Sequence, residues 1–312
     1  MSRTDICVIL NPAAGQGRAR RVLQRLQRVL GGRAEFWCTR APGEAEELAL
    51  RAARSGFAHV GAAGGDGTIH EVANGLLRAG RPEATLAVIP IGSANDYAAS
   101  LGLSADWWLR ESIDSNLRAL DVGLAQRPDG RTRFFINGIG LGFNAAVTLE
   151  RNRIPWLRGL ALYSLGLLSA LCYRFAQPIV KVTLHGDAGN GSEPIVRQVP
   201  TLALSVAIGR REGNFLLTPK AVLDDGFFDY LQAGALRRWE LVRYLPQMIS
   251  GDLPYEHPQL WHGRCQEVRV ESETPLAAHL DGELFSRPEE GVRRIDISLL
   301  RHALRVKTGR GA

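Results

Sequence analysis

Ala63-Gly64-Gly65-Asp66-Gly67-Thr68 is the stretch whose residue types most directly suggest chemistry. It lies between an apolar, strand-like run, Phe57 to Ala62, and a helix-like run, Thr68 to Leu77. Glycines let a backbone turn sharply and bring bare N–H groups close to a ligand. The N-terminus of a following helix adds unpaired donors and a dipole that favours anions. Asp66 would repel a phosphate unless a cation lay between them, so its position points to a nucleotide carried with Mg²⁺. Taken alone, an ordinary strand-to-helix turn accounts for the stretch as well.

Three other turns fall at comparable places. Ile6 to Leu10 is a compact apolar run that ends in Asn11-Pro12-Ala13-Ala14-Gly15-Gln16-Gly17. Ala34 to Cys38 reads as a second strand and runs out at Thr39; Thr85 to Ile89 reads as a fourth and leads into Pro90-Ile91-Gly92-Ser93-Ala94-Asn95-Asp96-Tyr97. Helical patterns separate them. One is amphipathic, with Val22, Leu23, Leu26, Val29 and Leu30 on one side and arginines on the other; a second covers Gly43 to Ser55. Four strand–turn–helix units imply a parallel sheet with helices on both faces, which binds ligands at the carboxyl ends of its strands. Asn11, Thr39, Gly64 to Thr68 and Gly92 to Asp96 fall at those ends.

After about Ala125 the pattern changes. An apolar helical region, Leu157 to Phe175, precedes short strand-like runs at Ile179 to Leu184, Leu202 to Ile208, Phe227 to Leu231, Val268 to Val270, Leu276 to Leu280 and Ile295 to Leu299. Asp187 to Ser192 reads as a hairpin tip and Leu236 to Gly251 as a helix. Short runs between turns predict an antiparallel sandwich or partly closed barrel. The expected organisation is a first domain over 1–125, a β-rich domain over 126–299, and a last segment from about 300 to 312 that returns to the first as a strand.

The 312 residues are 45% hydrophobic and 22% charged, which allows a sizeable core. A net charge of +6 suits anionic partners such as nucleotides and acidic lipid surfaces. Because the base is nearly all arginine, the skew reads first as genomic bias, and nucleic-acid binding is not expected. Cys7, Cys38, Cys172 and Cys265 show no metal-ligand spacing, which fits a reducing cytoplasm. The most hydrophobic stretch, Leu157 to Tyr173, is broken by Arg158 and two glycines and falls short of the ~20 apolar residues of a membrane span. The expectation is a cytoplasmic protein that visits the membrane transiently.

The ordered blocks Asn11-Pro12, Gly64-Gly65-Asp66-Gly67-Thr68 with His70-Glu71-Val72, Pro90 to Asp96, Asn137-Gly138-Ile139-Gly140-Leu141-Gly142-Phe143, Pro219-Lys220-Ala221 with Asp224-Asp225-Gly226, and Asp281-Gly282-Glu283 resemble the diacylglycerol kinase catalytic-domain superfamily. That superfamily includes bacterial lipid kinases and sphingosine kinases. The resemblance spans nearly the whole chain. It implies an N-terminal doubly wound parallel α/β nucleotide-binding domain and a C-terminal antiparallel β-sandwich-like lipid-binding domain. It also implies ATP-dependent phosphorylation of a lipid hydroxyl at a membrane surface. Carried onto this chain, Asn11, Thr39, Gly64, Gly65, Asp66, Gly67, Thr68, Ile69, His70 and Ser93 line the ATP site. Asp281 and Glu283 are two residues apart and would share a face of an extended strand. Glu283 is then expected as the base and Asp281 as its partner at Mg²⁺, with Asp66 a rival for the base role. A second, structural Mg²⁺ is expected at the Asp225 side chain and the backbone of Val222 and Phe227; a plain acidic turn is the alternative.

Two positions depart from the family pattern. Ser93 replaces the usual threonine but keeps the hydroxyl. Arg211-Glu212-Gly213-Asn214 stands where bacterial members often carry a run of glycines. His70 is open to a capping or packing role, and His257 and His262 lack a ligand set. The arginines of the first helix, Arg18 among them, read as a solvated face. A soluble kinase of the NAD kinase or phosphofructokinase type, which shares the Gly-Gly-Asp-Gly turn, is the nearest rival. A non-catalytic lipid-binding protein is another, and a homodimer is open.

Overall fold

The computed structural model describes residues 5–110, 116–152, 169–186 and 193–308. The chain divides into two units, Met1–Val122 with Arg301–Ala312, and Gly123–Leu300. In the first, β1 (Ile6–Leu10) is buried at every position, as an apolar run in the middle of a parallel sheet must be. It pairs in parallel with β2 (Ala34–Cys38) and β3 (His59–Gly64), and β3 pairs in parallel with β4 (Thr85–Pro90). Helices α1 (Arg18–Leu30), α2 (Glu44–Arg54) and α3 (Asp66–Ala79) connect them. Leu26 and Leu30 of α1 are buried, whereas Val29, expected on the apolar side, is 52% exposed. Short helices α4 (Asp96–Ser100) and α5 (Trp107–Arg110) follow, and Trp107 Nε1 donates to the carbonyl of Val88 at 2.7 Å.

The strand order β2-β1-β3-β4 reverses direction after β2. Right-handed crossovers therefore put α1 on one face and α2 and α3 on the other. The sheet is doubly wound, and its switch point lies between the carboxyl ends of β1 and β3.

The second unit contains β6 (Thr132–Phe135), β7 (Gly138–Gly142), β8 (Ile179–His185), β9 (Ile195–Pro200), β10 (Ala203–Ala207), β11 (Phe228–Ala233), β12 (Leu260–Cys265), β13 (Glu267–Ser272), β14 (Ala278–Leu280) and β15 (Glu283–Ser286). The end of β5 (Leu117–Gln126) pairs antiparallel with β6. One antiparallel sheet has the order β12-β11-β10-β7-β14-β15. In the other, β13 lies between β8 and the first part of β16 (Arg294–Lys307), with β9 at the edge. Val180, Val182 and Leu184 alternate with more exposed positions along β8, the pattern of a sheet covered on one face. Phe135 of β6 and Phe228 of β11 stack at 5.8 Å and join the two layers. A smaller core packs α6 (Phe143–Asn152) and α7 (Arg238–Ser250) around Phe143, Val147, Leu202, Leu241 and Leu260. Residues 305–307 of β16 pair in parallel with β4 in the first unit.

β5, β6, β7, β9, β12 and β15 are strands that the sequence pattern does not predict. The expected hairpin tip Asp187 to Ser192 lies outside the described residues, as does most of the expected helix Leu157 to Phe175.

Candidate active site

The switch point is where the nucleotide-type turns meet. Asn11 is held by its own backbone N–H on Ala63 O (2.9 Å), and its Oδ1 accepts the N–H of Ala13 (3.0 Å). Its Nδ2 then donates across the gap to Thr68 Oγ1 at 3.1 Å. The expected six-residue loop proves far shorter. β3 runs on through Gly64 and α3 begins at Asp66, so Gly65 alone joins them. The glycines here serve close approach. A Cβ on Gly64 would overlap the Thr68 side chain, and one on Gly92 would lie 2.6 Å from Gly65 Cα. The N–H groups of Ile91 and Gly92 both donate to Gly64 O, at 2.8 and 3.2 Å. Arg18 adds a tie that the sequence did not signal. Its Nε donates to Gly15 O (3.1 Å) and its Nη2 to Ile91 O and Gly92 O (3.4 and 3.5 Å).

Asp66 is half-buried in the first turn of α3, and its Oδ1 accepts the N–H of Tyr97 at 3.3 Å, at the start of α4. Asn95, just before α4, adopts a left-handed conformation and donates to Gly92 O at 3.0 Å. Its Oδ1 is a buried acceptor without a donor in reach among the described residues. Thr39 N–H donates to Leu10 O at 2.9 Å, and Ser93 is exposed on the β4–α4 turn. Ile69 and His70 are 0% and 1% exposed, so neither side chain offers a nucleotide a surface. His70 instead packs beside Asn74, whose Nδ2 donates to His70 O at 3.0 Å.

α3 is clamped to α2 along its length. The Glu71 carboxylate accepts the N–H groups of Gly43 (2.9 Å) and Ala45 (3.1 Å), capping α2 where glycine supplies no side chain. Arg78 bridges Glu46 and Glu47 at 2.6 and 3.0 Å. Between these ties the helices approach through Gly75, whose added Cβ would overlap the carbonyl of Glu46.

In the second unit the Asp281-Gly282-Glu283 block is not an extended strand. Asp281 (φ 51°) and Gly282 (φ 88°) form the two-residue turn of the β14–β15 hairpin, both left-handed as a type I′ turn requires. The chain reverses between Asp281 and Glu283, so the expected shared face does not exist. Asp281 Oδ2 accepts the N–H of Ile136 (3.0 Å), and Oδ1 accepts those of Asn137 and Gly138 (both 2.9 Å). Its backbone N–H donates to Gly138 O (2.9 Å). The carboxylate thereby anchors the turn to the β6–β7 connection. Glu283 is exposed, and its carboxylate has no partner among the described residues.

A partly buried polar chain backs the same turn. Gly282 N–H donates to His279 Nδ1 at 3.3 Å, which leaves the ring proton on Nε2, 2.9 Å from Glu212 Oε1. Glu212 Oε2 accepts from Ser205 Oγ at 2.6 Å, and Ser205 Oγ accepts from Asn144 Nδ2 at 2.8 Å. A Cβ on Gly140 would overlap both His279 Nε2 and Glu212 Oε1, which explains one glycine of the Asn137-to-Gly142 block. Glu212, which stands out of the family's glycine run, thus has a defined partner.

The residues at the second expected metal position do not fit a metal. Asp225 Oδ2 is ion-paired with Arg264, and its Oδ1 accepts the N–H of Phe227 at 3.1 Å. The Arg264 guanidinium also lies over the Phe227 ring, 4.5 Å from its centroid. Val222, expected to help, is 39% exposed. Nearby Asp229 is pushed up to about 6 by burial, with the Asp225 charge adding and Arg264 opposing.

Comparison with known proteins gives the family of each unit. Residues 5–125 match the family model of the diacylglycerol kinase catalytic domain, and residues 137–305 match that of the YegS C-terminal NAD kinase beta sandwich-like domain. A Pseudomonas aeruginosa (strain UCBPP-PA14) protein named "Probable lipid kinase YegS-like" is 30% identical, with 100% of this chain and 97% of that protein covered. The chain belongs to the diacylglycerol kinase catalytic-domain superfamily. A diacylglycerol kinase of Bacillus subtilis (strain 168) is 29% identical over 88% of each chain. The crystal structure of a diacylglycerol kinase from Bacillus anthracis str. Sterne shares the fold, with a TM-score of 0.69 at 18% identity over 99% of this chain and 98% of that one. Family membership supports the expectation of an enzyme, an ATP-dependent lipid kinase. No helix among the described residues is long and apolar enough to cross a membrane.

Proposed function

We propose that the protein transfers the γ-phosphoryl of Mg-ATP to a hydroxyl of diacylglycerol, a related glycerolipid or a long-chain base. The supporting observation is the β1–β3 switch point, where Asn11 locks to Thr68 and Gly64 receives the β4–α4 turn. The first turn of α3 directs its N-terminal N–H groups and dipole outward there, the arrangement that holds phosphate oxygens without a lysine. The orphaned Asn95 Oδ1 fits a donor on a nucleotide or its water. Asp66 is the hard oxygen donor at the junction suited to Mg²⁺, which when bound neutralises charge on the transferring phosphoryl group.

Glu283 is the base of the proposal. Its exposed, unpartnered carboxylate takes the proton of the lipid hydroxyl as that oxygen bonds to the γ-phosphorus and ADP leaves. Asp281 and the His279–Glu212 pair act through the turn that carries Glu283. Labelled ATP presented with vesicles of diacylglycerol, phosphatidylglycerol, sphingosine or ceramide, and with NAD as a soluble control, tests the assignment. A labelled lipid is expected, with Glu283→Gln slower by roughly a hundredfold or more. Label in NAD and in no lipid would refute it.

A further inference from the structure

Helix α7 has two apolar faces, and the fold accounts for one of them. Leu241, Tyr244 and Met248 point into the core formed with Phe143, Val147 and Leu260. On the other side Trp239, Val242 and Ile249 are 54%, 49% and 60% exposed, and Pro246 is exposed between them. At ~100° per residue these four occupy one arc roughly 80° wide, along a helix ~20 Å long. Singly exposed apolar residues are ordinary, whereas a stripe of them on one helix face marks a contact surface.

The charges indicate what that surface meets. Arg238 flanks the arc on one edge and Arg243 on the other, and both are exposed. Arg238 lies over the Phe175 ring at 5.2 Å, and Arg243 has no partner among the described residues. The helix's single carboxylate, Glu240, is turned back to accept the N–H of Arg237 at 2.6 Å and lies 3.8 Å from His257 Nε2. An apolar arc with a tryptophan, arginines on both edges and the acid turned inward is complementary to an anionic bilayer surface.

We infer that α7 is the membrane-docking element, lying in the headgroup layer with Trp239, Val242, Pro246 and Ile249 toward the acyl chains. This rests on the lipid-kinase assignment, since an enzyme drawing a lipid from a bilayer must first reach it. It does not depend on which lipid is phosphorylated.

Sedimentation with phosphatidylcholine vesicles, with or without phosphatidylglycerol, tests the inference on the full chain. Wild type should bind the anionic vesicles, and added salt should weaken that binding. Trp239→Glu/Ile249→Glu should bind about tenfold more weakly or worse, and Arg243→Glu should lose most of the preference for phosphatidylglycerol. All three residues are exposed, so thermal melting should stay near that of wild type. Unchanged vesicle binding by the double variant would overturn the inference. So would a wild-type dimer that the double variant dissociates without any vesicle binding, since the stripe would then be an interface between copies. Turnover of a water-soluble, short-chain diacylglycerol separates the two ideas. The double variant should keep it while losing turnover on vesicles; absence of all lipid turnover in wild type, with vesicle binding intact, would sink the kinase assignment alone.

Discussion

Replacing Asp281 discriminates between an anchor and a metal ligand, because the two roles predict opposite outcomes. The carboxylate accepts three backbone N–H groups, from Ile136, Asn137 and Gly138, at 2.9–3.0 Å, and Ile136 and Asn137 are 2% and 6% exposed. Hydrogen bonds to a charged acceptor are worth about 1.5–3 kcal/mol each, and orphaned buried donors carry their own cost. Asp281→Ala strips all three and puts alanine in a left-handed conformation, which adds about 1 kcal/mol. The loss is about 5 kcal/mol or more, comparable to the whole stability of a domain. Asp281→Asn is the informative variant. Asparagine tolerates the left-handed turn, and its carbonyl still serves Asn137 and Gly138, while its amide group faces the Ile136 N–H donor-to-donor. The expected cost is about 3 kcal/mol, a melting temperature lower by roughly 10 °C, with kcat kept within about tenfold at a temperature where the variant is folded. Calorimetry and a labelled-ATP lipid assay on the same preparation measure both. An unchanged melting temperature with a hundredfold loss of kcat would mean that Asp281 serves the reacting groups directly.

Gly75→Ala should lower stability by about 2 kcal/mol, a few degrees in melting temperature, because overpacking against Glu46 O outweighs the gain of about 1 kcal/mol in helix propensity; a rise would mean that the helices can separate at little cost. Without nucleotide, wild-type melting should not respond to EDTA, whereas Arg264→Ala should melt about 3 °C lower and become sensitive to added Mg²⁺, since Asp225 and Asp229 lose their cation. A wild-type melting temperature that falls in EDTA would contradict the reading of Arg264. For Asp229 the folded pKa is raised from 3.8 to about 6, so its contribution to stability is full below the unfolded pKa and is lost as pH rises through about 6. The shift bounds the term at about 3 kcal/mol, and partial exposure cuts it to about 1. Asp229→Asn should therefore stabilise the protein at pH 7.5 and flatten the melting profile between pH 4 and 7, which a pH series of thermal melts would show or refute.

Most of the first sheet was legible because β1, β3 and β4 are buried parallel strands, which write themselves as runs with few polar residues; β2, half-exposed at the end of the order, shows instead through Phe36 and Trp37. β2 matches its expected bounds, Ala34 to Cys38, residue for residue. The β3–α3 junction was misjudged because Ala63 and Gly64 have no β-branched side chain to declare a strand, while Asp66 and Gly67 look like loop residues although they begin a helix. β9 and β12 escaped for a related reason. They carry Arg197, Pro200, Gly263 and Arg264 in runs whose pairing is decided by their neighbours, not by their own composition. Exposure was harder still: Ile69 and His70 belong to the motif but lie on the inner side of α3, a distinction that only the packing of α3 reveals.

What could not be read from the motifs was which of their members touch one another. Asp281 meets Ile136 across 145 positions of chain, and His279 meets Glu212 across 67. Gly140 is bare because both partners of that second contact crowd its Cα. The Asn137-to-Gly142 block, Glu212 and the Asp281-Gly282-Glu283 turn therefore form one object: the Asp281 carboxylate and N–H tie the turn to Ile136, Asn137 and Gly138, and the imidazole accepts the Gly282 N–H, which fixes the turn from which Glu283 projects. The departure from the family at Glu212 then has a consequence. Where a run of glycines would leave His279 Nε2–H without an acceptor, Glu212 supplies one and is itself held by Ser205 and Asn144. Loss of the Glu212 acceptor would leave a buried donor unpaired directly behind the turn, so Glu212 and His279 are expected to change together or not at all.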